Sequence, residues 1–142
     1  MAAAGGTPVQ VTNGGGFRGD WSPDGSRIAY DKQLLQGSVR EADYQNTIEI
    51  AEASTGKFLR KVSQGNLTSP IWSPDGKRVS ATRGNTVWLI DPETGEARLA
   101  VQFPRNLVAM FRAAWTPDGK SVIVNLRERA SHIVLLENFW TQ

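Results

Sequence analysis

The apolar positions of this chain fall in short runs of β-forming residues, each cut off by turn residues. Ile28-Ala29-Tyr30, Val79 within Arg78-Val79-Ser80, and Val122-Ile123-Val124 each follow a Pro-Asp-Gly triplet, and the pattern predicts a strand soon after each Gly. A second set lies at residues 48–52, 87–91 and 133–137, each closing on an acidic residue. The first two of these run into Thr55-Gly56 and Thr94-Gly95, which read as turns. Further strands are expected at residues 57–62 and 96–101. One more strand precedes each of Trp21, Trp72 and Trp115, over residues 17–20, 68–71 and 111–114. The order per unit is strand, Pro-Asp-Gly turn, strand, loop, strand, Thr-Gly turn, strand. That is an all-β, antiparallel, four-stranded unit.

The unit recurs. Trp-Ser-Pro-Asp-Gly stands at residues 21–25 and 72–76 and returns as Trp-Thr-Pro-Asp-Gly at 115–119, so the tryptophans lie 51 and 43 residues apart. Periods of about 40–50 residues suit a four-stranded propeller blade. In each block Pro sets φ near −65° for the first turn position, Asp bonds back to the chain, and Gly takes the positive φ. A type I turn with a left-handed Gly predicts a three-residue hairpin loop. The three tryptophans are expected between blades, where burial of one such aromatic stabilises by roughly 1.5–3 kcal/mol. Asp24, Asp75 and Asp118 recur at one turn position, and recurrence at separate hairpins argues for a structural role.

These blocks, at residues 21–30, 72–81 and 115–124, resemble the WD-like propeller repeats of the Pro-Asp type, found in TolB and in the propellers of prolyl-oligopeptidase-like enzymes. The resemblance implies an all-β fold of about three antiparallel blades, a partial propeller or half of a six-bladed ring. It implies little about activity, because propellers host unrelated functions. By analogy with TolB it implies a scaffold for protein or peptide partners, and a periplasmic parent. The alternative is a propeller portion associated with a prolyl-oligopeptidase-like hydrolase; another is a non-functional piece of a larger propeller.

Blade boundaries follow from the repeat: residues 1–12 read as an orphan fourth strand, 13–63 as blade one, 64–101 as blade two, and 102–142 as an incomplete blade three. Three units are too few to close a ring. The chain therefore reads as a segment of a larger propeller, as half of a head-to-tail homodimer, or as one part of a ring that a partner completes. An open arc would expose apolar faces and an unpaired edge.

Composition narrows the chemistry. The 142 residues include no Cys, which removes disulfides, thiolate metal sites and a Cys nucleophile. A net charge of +2 without a Lys/Arg run gives no argument for nucleic acid. No apolar stretch reaches the ~18 residues of a membrane span. Residues 1–6 lack the pattern of a signal peptide, and the compartment stays open.

Motifs that suggest chemistry have plainer readings. Gly14-Gly15-Gly16-Phe17-Arg18-Gly19 matches G-x-G-x-x-G, but the repeat turn follows where a dinucleotide site needs a helix. It reads as an inter-blade loop. His132 is the only His, with no G-x-S-x-G elbow and too few companions for a metal. Asn66-Leu67-Thr68 matches a glycosylation sequon and reads as an ordinary loop. No catalytic residue and no cofactor is expected, and the chain reads as a non-enzyme.

Two groups of binding candidates remain. Unit one spans 31 residues from Trp21 to Glu52, against 19 from Trp72 to Asp91 in unit two, which places an inserted loop within residues 31–46. That loop and the inter-blade loops at 63–68 and 102–110 should share the face opposite the Pro-Asp-Gly turns. Loops on a rigid ring often carry binding, so Arg40, Tyr44, Arg105 and Arg127 are candidates there. On the inner strands, Arg18, Asp20 and Arg112 alternate away from the Trp side and are candidates for the central channel.

Overall fold

The structure, a computed structural model, describes residues 10–12, 15–35, 44–128 and 131–136. Eleven strands form three antiparallel sheets among them. The first holds β1 (Phe17–Trp21), β2 (Arg27–Leu35), β3 (Tyr44–Glu52) and β4 (Phe58–Lys61), in that order. The second holds β5 (Thr68–Trp72), β6 (Val79–Arg83), β7 (Thr86–Ile90) and β8 (Ala97–Gln102). The third has β9 (Val108–Trp115), β10 (Val122–Arg127) and β11 (Ser131–Leu136). His132 sits in β11 opposite Leu126. The first strands β1, β5 and β9 are neighbours, so the sheets fan out from them.

The repeated turn is built alike three times. Gly25, Gly76 and Gly119 take φ of 73°, 70° and 69°, and each donates its N–H to the carbonyl of Ser22, Ser73 or Thr116. That is the i→i+3 bond of a type I turn, and the chain closes one residue beyond a three-residue loop, with the N–H groups of Ser22, Ser73 and Thr116 donating to the carbonyls of Arg27, Arg78 and Ser121. The hydroxyl completes the closure: Ser22 Oγ accepts from Arg27 N at 2.9 Å, Ser73 Oγ from Arg78 N at 3.0 Å, and Thr116 Oγ1 from Ser121 N at 3.0 Å. The loop is thus four residues, one wider than the sequence predicts. The same hydroxyls donate to Asp24, Asp75 and Asp118 at 2.5, 2.6 and 2.6 Å. Each Asp also accepts the backbone N–H two residues on. These bonds favour the carboxylate and hold all three acids below the ordinary range, Asp24 at about 2.

Both ends of the inserted stretch, residues 31–35 and 44–46, are strand. β2 and β3 pair without a break from Arg27 opposite Glu52 to Leu35 opposite Tyr44. The additional residues lengthen this hairpin because strand pairing satisfies their backbone groups, which a loop would leave to water. Arg40 lies outside the described residues.

Two cores lie between sheets. Ala29, Ile48 and Ile50 of the first sheet meet Trp72, Val79, Ala81 and Ile90 of the second, with Val62 and Leu67 from the connection between them. Val87 of the second sheet meets Ala109, Ala113, Val122, Val124 and Leu126, and Trp115 packs on their edge. Trp72 is 4% exposed, and the Arg27 guanidinium lies 4.8 Å from its ring centroid. Arg27 also reaches across to Glu93 at 2.6 Å. Trp115 donates Nε1–H to the Ile71 carbonyl at 3.2 Å.

Trp21 departs from the expected inter-blade packing and is 57% exposed. Each repeat Trp packs on the sheet before its own, and among the described residues only 10–12, 15 and 16 precede sheet one. Residues 10–12 are not strand here, yet Val11 joins a third cluster with Ile28, Tyr30, Ala51 and Ala53.

Candidate functional site

The inner strands carry a shared irregularity. The pairing of β1 with β2 shifts register between Phe17 and Asp20, and that of β5 with β6 between Thr68 and Ile71. Arg18 and Ser69 take left-handed φ of 45° and 57° at these bulges. Both stand three residues before the repeat Trp, as does Arg112 in β9. A bulge bends its strand and re-aims the side chain there, so one repeat position delivers Arg18, Ser69 and Arg112 to the same end of the inner strands.

Two carboxylates collect these groups. Asp20 accepts Trp72 N–H at 2.8 Å on Oδ2 and the Arg112 guanidinium at 3.1 Å on Oδ1. Arg112 donates to the Gly19 carbonyl as well, at 3.2 Å. Asp20 therefore touches all three sheets. Asp31, from β2, accepts Ser69 N–H at 2.8 Å on Oδ1 and Arg18 Nη1 at 3.3 Å on Oδ2. Its side chain is 3% exposed, and this burial pushes its carboxyl up to about 6 against the pull of Ser69 N–H, Arg18 and Arg112. Arg18 and Arg112 stay about half exposed, at 55% and 46%. A guanidinium has five donors, and each of these commits only part of that set. The arrangement can receive a carboxylate or a phosphate bidentately from the solvent side.

The candidate residues divide accordingly. Arg18, Asp20 and Arg112 come together as one cluster. Arg105, exposed in the Pro104–Leu107 turn, and Arg127, exposed at the end of β10, belong to the rim of blade three instead. Asn106 in that turn bonds Glu128 just past β10. Tyr44 opens β3 opposite Leu35, at the far end of the long hairpin. Asp31 and Ser69 are the members that sequence reasoning missed. A signal for Asp31 existed: it stands ten residues after Trp21, where the other units carry the neutral Thr82 and Asn125.

A groove of about 380 Å³ runs along Ser63, Arg78, Asp91, Glu96 and Arg98. Its Asp91 carboxylate is committed to the Thr-Gly turn, accepting Glu93 N–H at 2.8 Å and Thr94 N–H at 3.2 Å. Among the described residues, no group of three or more His, Asp and Glu is placed to hold a metal ion.

Fanned antiparallel sheets with their first strands side by side are the blades of a β-propeller, and solved structures agree. The propeller domain of the trilobed protease from Pyrococcus furiosus superposes with a TM-score of 0.61 at 20% identity, over 87% of this chain and 39% of that one. Oligogalacturonate lyase from Vibrio parahaemolyticus gives 0.64 at 14% identity, over 86% and 39%. Prolyl oligopeptidase B from Galerina marginata gives 0.62 at 16% identity, over 87% and 20%. The chain spans well under half the length of these proteins, and the likeness is one of fold. Neighbours of this kind include propeller domains of peptidases. No family model and no curated protein matches the sequence.

Proposed function

We propose that this chain is a non-catalytic propeller scaffold, TolB-like in role, that holds an acidic segment of a protein or peptide at the inner-strand cluster. One observation carries the reading: two half-exposed guanidiniums, from the first and third blades, stand on carboxylates that are themselves fixed by backbone N–H groups. Such support keeps the arginines in place before a ligand arrives, which lowers the ordering cost of binding. The work is presentation and recognition, with bidentate pairing to a carboxylate as the anchor.

The test is fluorescence anisotropy with labelled acidic, neutral and basic peptides of equal length. Acidic peptides should bind best, and Arg112→Ala should weaken them by roughly tenfold or more, the usual loss for one charged contact. Equal binding of all three classes, or an unchanged Arg112→Ala, would refute the assignment.

A second reading has specific support. The likeness to propeller domains of acylaminoacyl peptidase and prolyl oligopeptidase favours a propeller portion that sits beside a hydrolase domain. Under that reading the cluster would meet peptide substrates on their way to the hydrolase. Co-purification with an α/β-hydrolase segment would favour it.

A further inference from the structure

We infer that the Trp21 face of blade one and the outer face of blade three form a joint between two copies of this chain, which close head to tail. The inference goes beyond the proposed function and does not depend on it.

The repeat supplies its own control. Trp72 is buried against blade one, and Trp115 is partly buried against blade two, bonded to the Ile71 carbonyl. Trp21 is the same residue at the same repeat position, yet more than half of it faces solvent. The opposite face shows the matching defect. Eight residues after each Trp stand Ala29, Ser80 and Ile123. Ala29 and Ser80 are fully buried, whereas Ile123 is 39% exposed between the buried Val122 and Val124. A blade's leading face is thus covered by the trailing face before it, and each trailing face by the leading face after it. Among the described residues, blade one's leading face is covered only in part, by Val11 over Ile28, Tyr30, Ala51 and Ala53, which leaves Trp21 open, and blade three's trailing face leaves Ile123 open.

The exposed pair is therefore two halves of one interface that the molecule already builds twice. A second copy carries both complementary halves. Two chains joined at two such interfaces form a closed cyclic assembly that covers Trp21 and Ile123 in both copies.

Val11 points to the same partner. A Cβ on Gly56 would meet the Val11 carbonyl, just as one on Gly95 would meet the Lys61 carbonyl. Lys61 ends β4, the fourth strand of the blade that precedes Gly95. Val11 thus occupies the place of a preceding blade's fourth strand. The described part of blade three has only three strands, β9 to β11.

The experiment is light scattering of the full chain across a wide concentration range, with Trp21→Glu and Ile123→Glu alone and mixed. Both side chains are exposed in the single chain, so both variants should retain the wild-type circular dichroism. The expected result is a mass of two chains for the wild type. Each variant alone should associate about 100-fold more weakly, as for loss of a central interface residue. An equimolar mixture should recover association, because a mixed pair places both changes in one joint and leaves the other intact. A wild type that stays monomeric at high concentration overturns the inference and leaves the face to a blade from elsewhere. Mass rising beyond two chains, or a mixture no better than the single variants, overturns it as well.

Discussion

Replacing Asp31 by Asn tests how the site is held. The carboxyl is 3% exposed and its value rises from the ordinary 3.8 to about 6, with burial as the leading cause. That difference corresponds to about 3 kcal/mol against the ionised form, at roughly 1.36 kcal/mol per pH unit. The unfolded chain gives up this proton first, at its lower value. Wild-type stability from this group is therefore highest below about pH 4 and falls as pH rises towards 6. The substituted amide does not titrate, and its carbonyl can still accept Ser69 N–H, the 2.8 Å bond that ties blade two to β2. Arg18 loses a partner but is more than half exposed and stays hydrated, so that loss is small. The stability of Asp31→Asn minus that of wild type should thus climb by about 2–2.5 kcal/mol between pH 4 and pH 7, because the unfolded carboxyl is already partly ionised at pH 4. Urea unfolding of both proteins at pH 4, 5, 6 and 7 reads this difference directly. Two curves that run parallel within about 0.5 kcal/mol, the usual noise of a surface substitution, would mean that Asp31 ionises as if in water. The account of the cluster would then fail.

Two further outcomes follow from packing and backbone geometry. Trp72→Ala should destabilise by about 3–5 kcal/mol in denaturant titration, as for a buried aromatic, and a loss under about 1 kcal/mol in a folded sample would place that ring outside the core. Gly95→Ala should cost clearly more than Gly25→Ala by thermal or urea unfolding. Both glycines have positive φ, which costs Ala about 1–2 kcal/mol, but a Cβ on Gly95 would stand 2.7 Å from the Lys61 carbonyl, while one on Gly25 meets open space. Equal losses would contradict that close approach.

Much of this molecule was legible in its repeats because their signals are local. A Pro-Asp-Gly block dictates a turn from φ preferences alone, and each block stands where the structure turns the chain. Strand order within a blade followed, since hairpins join neighbours in sequence. The long β2–β3 hairpin was not legible: residues 31–35 and 44–46 interrupt the apolar pattern, and only cross-strand pairing makes them strand. The loop width also escaped, because it turns on the Ser22, Ser73 and Thr116 hydroxyls bonding the N–H five residues on. At the site, alternation singled out Arg18, Asp20 and Arg112. It missed Asp31, whose partner Ser69 lies 38 residues away on another blade.

The amino-acid order alone determined the repeated Pro-Asp-Gly turns, the blade unit and its recurrence, since these rest on dihedral preferences and contacts between near neighbours. Tertiary structure decided which of three identical tryptophans is buried and which carboxyl is pushed up to about 6. Burial depends on what the neighbouring blade places opposite a residue, and no pattern within one repeat contains that information.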